Sequence, residues 1–464
     1  MNSLLPAALV AALAAPAAAQ TAPATPAVNA ADLQALRDEI QTLRNAYEAR
    51  LQALEQRLQA AESAARAPAA VAATPSAAPA TAPDTVQTAS SAAPAAAANA
   101  FNPAISLILA GQYTRTSRDP EGYRIAGFGL PPDAEAGPGP RGLNLGESEL
   151  RFSASIDPWL RGAAALALHP DNEFSVEEAF VETTALGRGF TLRAGRFFSN
   201  VGYLNPQHAH TWDFVDNPLP YQALLGTQLG DDGLQLRWIA PTDQLLELSA
   251  EVGRGAGFPG GDSAGNGAGL RTFSVHTGGD IGDSHSWRAG VSVLQARASG
   301  QELIGLAADD TSTFFTGRTR VWIADAVWKW APEGNATRTH FKLQGEVLQA
   351  RRSGTLALED GSGGDYRATQ SGWYVQGVYQ FMPRWRVGLR TERLDAGTPH
   401  DPAGLVAGSG FKPRKHALML EFNPSEFSRV RLQLAQDRAR EGAADRQFFI
   451  QYQMSLGAHG AHAY

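Results

Sequence analysis

The sequence predicts an all-β fold, a transmembrane antiparallel β-barrel of about 16 strands, preceded by an N-terminal α-helical coiled coil. Three observations carry this. From Phe101 onward apolar and polar residues alternate with period two in run after run. The links between runs are alternately short and long. Aromatic residues gather beside the short links, where amphipathic rings favour the boundary between hydrocarbon and water. No window approaches the run of about eighteen apolar residues that a spanning helix needs, so any passage through a membrane would be made by strands.

Residues 1–20 are expected to be a signal peptide. Leu4 to Ala15 is a short apolar run, and Ala17-Ala18-Ala19 before Gln20 offers the small residues a signal peptidase accepts, although no Lys or Arg precedes the run. Residues 31–66 carry a stripe at Leu33, Leu36, Ile40, Leu43, Tyr47, Leu51, Leu54 and Leu58. The steps are three and four except for consecutive fours at Tyr47, a stutter that locally unwinds a left-handed supercoil. So narrow a stripe wants partner helices, and a parallel, trimeric coiled coil in the periplasm is expected; the plainer alternative is a single solvated helix. Residues 67–100 are nearly all Ala, Pro, Thr and Ser, with five prolines between Pro68 and Pro94 that forbid a continuous helix. That stretch reads as a linker to the outer-membrane barrel, residues 101–464.

Within the barrel region the clearest alternations are Leu150, Phe152, Ala154 and Ile156 against Glu149, Arg151, Ser153 and Ser155, and Phe341, Leu343 and Val347 against Lys342, Gln344 and Glu346. Val430, Leu432 and Leu434 against Arg429, Arg431 and Gln433 repeat the pattern near the end. Short links fall at Asp157-Pro158, Leu186 to Gly189, Pro241 to Asp243, Ile281 to Asp283, Pro332 to Gly334, Met382-Pro383 and Asn423 to Ser425. Longer loops are expected at Arg118 to Gly146, Ser199 to Gly230, Gly253 to Gly269, Ser299 to Thr316, Ser353 to Thr369 and Leu394 to Lys412, with shorter ones near Pro170 and Gly442. Trp159, Trp238, Trp330, Phe381, Trp385, Phe422 and Phe427 flank the short links. In hydrocarbon every backbone N–H and C=O must be paired, so such a sheet must close. A closure of about sixteen strands is too wide for side chains to fill, and a polar inner face would then line water.

The chain has no cysteine and a formal net charge of −7, which excludes a disulfide scaffold and a zinc-thiolate site and weighs against nucleic acid as a partner. Outer-membrane lipid and a small solute or ion are the expected partners. The alternating last strand and the aromatic terminus Tyr464 resemble the ends of outer-membrane barrels that engage the barrel assembly machinery.

An insert of about thirty residues at 199–230, after the strand FTLRAGRFF, is too long for a structureless loop unless it is functional. It is expected to fold into the barrel mouth as a pore constriction, with His208, His210, Asp213 and Asp216, together with Arg196 at its start. The pair His208 and His210 with nearby carboxylates is a candidate Zn²⁺ site, weighed against hydrogen bonds that merely anchor the loop; otherwise no cofactor is expected. The tail residues His459 and His462 are weaker metal candidates. The inward arginines Arg151, Arg193, Arg237, Arg386, Arg390, Arg429 and Arg431 would line the pore as an anion ladder. Inward Glu149, Glu247, Glu251, Glu346, Glu392 and Glu421 favour instead a transverse field between mixed rows. Gly261 to Gly265 matches G-x-S-x-G but is followed by no helix, so it is read as coincidence and no catalytic residue is expected.

The hairpin AFVETTALGRGFTLRAGRFFSNVGY, followed by Phe214 and Asp216, resembles the phosphate-selective porin O/P group through Gly195, Arg196, Phe197 and Gly202. Some of those porins begin with a coiled coil and work as trimers, which is what the resemblance implies here. The lysines such porins use on phosphate have no counterpart, since the chain holds only Lys329, Lys342, Lys412 and Lys415. The segment GYLNPQHAHTWDFVD is also similar to outer-membrane proteins labelled zinc-regulated or TonB-dependent receptors. Two functions are therefore expected: a porin-like channel for passive diffusion of small hydrophilic solutes or ions, or a ligand-specific receptor for zinc or a metal complex.

Overall fold

A computed structural model of the chain describes residues 103–170, 173–261, 266–307, 310–408 and 410–457. The expected signal peptide, coiled coil and linker, together with Asp262 to Gly265, His459, His462 and Tyr464, lie outside the described residues.

Alternation of side chains on a pleated strand gives each strand an oily and a wet face, and one continuous antiparallel sheet uses both. Its strands are β1 (Ala104–Thr116), β2 (Gly142–Leu145), β3 (Ser148–Ser155), β4 (Leu160–Leu168), β5 (Phe174–Thr183), β6 (Phe190–Phe198), β7 (Gly230–Ile239), β8 (Leu245–Gly253) and β9 (Leu270–Ile281). They continue with β10 (His285–Leu303), β11 (Thr313–Trp330), β12 (His340–Ala357), β13 (Gly363–Met382), β14 (Trp385–Asp395), β15 (Arg414–Ser425), β16 (Ser428–Arg438) and β17 (Asp445–Gly457). From β3 to β17 each strand pairs with its neighbour in sequence, and β1 pairs with β17 from Ser106↔Gly457 to Thr116↔Gln447, which closes the sheet. Strands β2 and β3 both pair with β1, at successive positions along it, so together they make one stave and the wall has sixteen. The predicted sixteen-strand antiparallel barrel is the observed one.

Large apolar side chains stand exposed on the outer face, among them Val291, Val347, Leu389, Leu434 and Ile450. Aromatic rings join across staves there: Trp328 meets Phe341 at 5.9 Å between centroids, and Phe341 meets Tyr379 at 6.5 Å. Among the described residues no helix is long and apolar enough to cross a membrane.

Two expectations change. Half of Ser299 to Thr316 and most of Ser353 to Thr369 are strand, because β10 to β13 run for 18–20 residues. Crossing hydrocarbon takes only about 9–11 tilted residues, so the extra length forms hairpins whose Gly, Ser, Thr and Arg content hides the alternation. The inner face is also not uniformly polar. Val321, Ile323, Leu348 and Leu394 point inward and pack with Ile125 and Phe128 of the first long loop and with Leu204, Leu219, Tyr221 and Leu224 of the insert. Part of the interior on the long-loop side is therefore filled by an apolar cluster.

Candidate functional site: the insert and the vestibule beneath it

The insert, residues 199–229, leaves β6 and returns to β7. Its base is closed by Asn205, fully buried, whose amide donates to the carbonyls of Ser199 and Leu229 at 2.8 and 2.9 Å and accepts from Leu229 N–H at 2.8 Å. Irregular structure was expected throughout, but Leu219–Leu225 is a helix, here α1. Pro220 sits in its first turn, where no intrahelical donor is needed, and Gly226 ends it at φ 65°. Its first N–H, from Leu219, donates to Glu392 Oε2 on β14 at 2.5 Å.

The insert is seated on the wall by buried charge. Glu346 on β12 accepts from the N–H groups of Tyr203 and Leu204 at 3.1 and 3.0 Å, and from the hydroxyls of Tyr221 and Tyr374 at 2.8 and 2.6 Å. Asp213 pairs with Lys342 at 2.5 Å and accepts from Arg386 at 3.2 Å. Asp216 accepts from Arg390 at 2.8 Å and Gln433 at 2.9 Å and pairs with Lys415. Burial opposes the charge on both aspartates, yet Lys342 and Arg386 hold Asp213 down at about 2, and Lys415 and Arg390 hold Asp216 well below the usual carboxylate range. Arg431, fully buried, spans Glu421 at 2.6 Å and the Trp212 carbonyl at 2.8 Å.

On the opposite side of the ring, β3 and β5 receive the two histidines. A bulge in β5 leaves Glu177 unpaired, with Ala165 opposite Glu178 and Leu166 opposite Val176. That extra residue lets two successive carboxylates reach inward, which strict alternation would forbid. Glu177 Oε2 lies 3.1 Å from His208 Nδ1, and Glu178 Oε2 lies 3.0 Å from His208 Nε2. Glu149 Oε2 is 3.0 Å from the Nδ1 atoms of both His208 and His210. Burial disfavours protonation of His208, but the three carboxylates outweigh it and raise its pKa well above the ordinary value. Burial lowers His210, and the charges of His208 and Arg429 act in the same direction.

Below the insert lies a cavity of about 1530 Å³ that opens among the short turns and is floored by Tyr203, Gln207, His208, His210 and Asp213. Lys329, Lys342, Arg386 and Arg429 line one side of this vestibule, while Glu149 lines the other with Arg151 beside it.

The structure brings His208, His210, Asp213 and Asp216 together in one insert. Arg196 is a correction: it stands on the outer face of β6 with its side chain 45% exposed, paired with Asp232 at 2.7 Å, because the residues that alternate inward are Arg193 and Phe197. Arg151, Arg386 and Arg429 line the vestibule. Arg193 pairs with Glu182 at 2.8 Å and lies over the Phe180 ring, while Arg237 lies across the sheet from Ser249. Arg390 and Arg431 are buried against the insert, and Glu247 and Glu251 hold its first residues, Asn200 at 2.7 Å and Ser199 at 2.5 Å. Most inward arginines are thus committed to carboxylates, not strung as a free ladder. Residue patterns did not single out Glu177, Glu178, Asn205, Lys342 or Lys415. The adjacent acidic pair inside a strand was the available signal, since it breaks the period.

A closed antiparallel barrel of sixteen staves with a charged insert folded into it defines the class of protein. No protein-family model matches the chain. An uncharacterized protein of Aquifex aeolicus (strain VF5) is 31% identical over 402 residues, covering 79% of this chain and 80% of that one, and the chain belongs to its family. Among solved structures, in-vitro folded OmpT of Vibrio cholerae has a TM-score of 0.46 at 12% identity, covering 77% of this chain and 98% of that one. The outer-membrane channel DcaP of Acinetobacter baumannii has a TM-score of 0.46 at 12% identity, covering 76% and 97%. The anion-selective porin from Comamonas acidovorans has a TM-score of 0.44 at 11% identity, covering 76% and 99%. These likenesses are distant in sequence and loose in geometry.

Proposed function

We propose that the protein is a porin-like channel of the bacterial outer membrane, passing small hydrophilic solutes or ions by diffusion along a path narrowed by the insert. One observation carries the reading: the insert is tied by Asp213 and Asp216 to β12, β14 and β15, above a polar vestibule that opens on the short-turn side. An apolar outer face around a closed sheet is what lipid requires, and a water-filled lower half is what a solute requires. The mixed charge of the vestibule favours a transverse field over a single-sign filter. A homotrimer fits the heptad-like stripe at 33–58, with the low wall of β3 to β8, strands of 8–10 residues, as the face between copies.

Planar-bilayer recording tests it. Wild-type protein should give small ohmic steps, and Asp213→Asn combined with Asp216→Asn should enlarge them by releasing the insert from the wall. A barrel that conducts in neither form is not a channel.

A further inference from the structure

We propose that Glu149, His208 and His210 bind a divalent transition-metal cation of the Zn²⁺ class at the floor of the vestibule. Three donor groups converge there: the Nδ1 atoms of His208 and His210 each lie 3.0 Å from Glu149 Oε2, and one ligand atom from each of the three residues lies within 4.8 Å of the others. Bonds of roughly 2.0–2.1 Å around a tetrahedral ion place ligand atoms about 3.3 Å apart, so each carboxylate-to-imidazole spacing is within tenths of an ångström of coordination distance. Imidazole with carboxylate is a donor set for zinc and its first-row neighbours, not for Mg²⁺ or Ca²⁺, which take oxygen.

Two further features point to a ligand. Glu149 is 97% buried, yet no N–H is directed at its Oε2, although two imidazoles stand beside it. A buried carboxylate oxygen without a directed donor costs free energy that a cation would recover. Glu178 in turn holds Nε2 of His208 at 3.0 Å, the outer carboxylate that fixes ring orientation and turns the other nitrogen toward a metal. The bulge at Glu177 is what lets Glu178 take that place while Glu177 also reaches the ring. An ion has a way in, because Glu149, His208 and His210 all line the vestibule, and its solvent supplies the remaining ligands. The site stands on these contacts and not on whether the barrel conducts.

The test titrates the full chain, folded in detergent, with Co²⁺ as a spectroscopic substitute for Zn²⁺. Expected are intense visible bands of a low-coordinate ion at one Co²⁺ per chain, displaced by Zn²⁺ and untouched by Mg²⁺. Glu149→Gln and His210→Ala should abolish them. Glu178→Gln, changing a positioning residue, should weaken affinity roughly 10–100-fold, and His416→Ala on β15 should change nothing. Weak octahedral bands only, or tight binding that survives Glu149→Gln, overturns the proposal. Heat-modifiable gel mobility shows whether each variant has folded. Should a ligand variant fail to fold, diethylpyrocarbonate labelling of wild type decides: Zn²⁺ shields His208 and His210 in support of the site, and equal labelling with and without Zn²⁺ overturns it.

Discussion

Glu346 shows how a single residue sets the position of the whole insert. Its two oxygens receive four donors, two from the insert's backbone and two from tyrosines. Leaving a buried hydrogen-bonding group without its partner costs about 1–3 kcal/mol each. Gly202 makes this approach possible. It takes φ +66°, and a Cβ there would overlap Glu346 Oε2 and sit 2.7 Å from the Tyr221 hydroxyl. Gly202→Ala therefore meets both a left-handed backbone cost of about 1–2 kcal/mol and a collision with the carboxylate. Loss of about 2 kcal/mol or more of unfolding free energy in a denaturant titration, with new proteolytic cleavage inside 199–229, is the expected outcome. An unchanged digestion pattern would mean that the insert is held elsewhere.

At the scale of elements, the insert is a strap whose two aspartates engage the wall, and acid should release it. Asp213 is held at about 2 against an ordinary 3.8, and Asp216 is depressed further. A carboxylate with a lowered folded pKa contributes stability that is complete above its unfolded value and is lost as pH falls through the folded one. Anchoring should thus be intact at pH 5 and weaken from about pH 4 towards 2, seen as rising conductance and rising protease access to 199–229. Asp213→Asn should remove much of that dependence. The presence of this strap was legible, since Pro218, Pro220 and the polar cluster from Asn205 to Asp216 interrupt two well-patterned strands. Its helix was not, because seven residues are two turns and Leu219 to Leu225 is apolar nearly all round, leaving no period to read. The carboxylates around His208 come from β3 and β5, and no local pattern reports such a long-range meeting.

For the molecule as a whole, the period-two pattern announced the barrel because it records which solvent each face meets. It could not announce that part of the interior is apolar. Val321 and Ile323 on β11 alternate correctly with Trp322, but apolar residues on both faces read as a strand buried in protein on each side. What separates a lipid-facing wall from a soluble sheet is the penalty for charge on its outer face. Leu389, 65% exposed at the middle of β14, has only its cross-strand neighbour Leu418 and a few residues of the same outer face to lose. In a water-soluble fold Leu389→Arg would be close to neutral. In a bilayer an arginine at mid-depth costs about 2–4 kcal/mol, falling to about 0–1 near the interfaces. Reversible denaturant unfolding from lipid vesicles should therefore show Leu389→Arg destabilised by that amount, and Ile281→Arg, at the end of β9 beside a short turn, by about 1 kcal/mol or less. Equal and negligible costs at both positions would place the outer face in water and remove the membrane from every argument built on it.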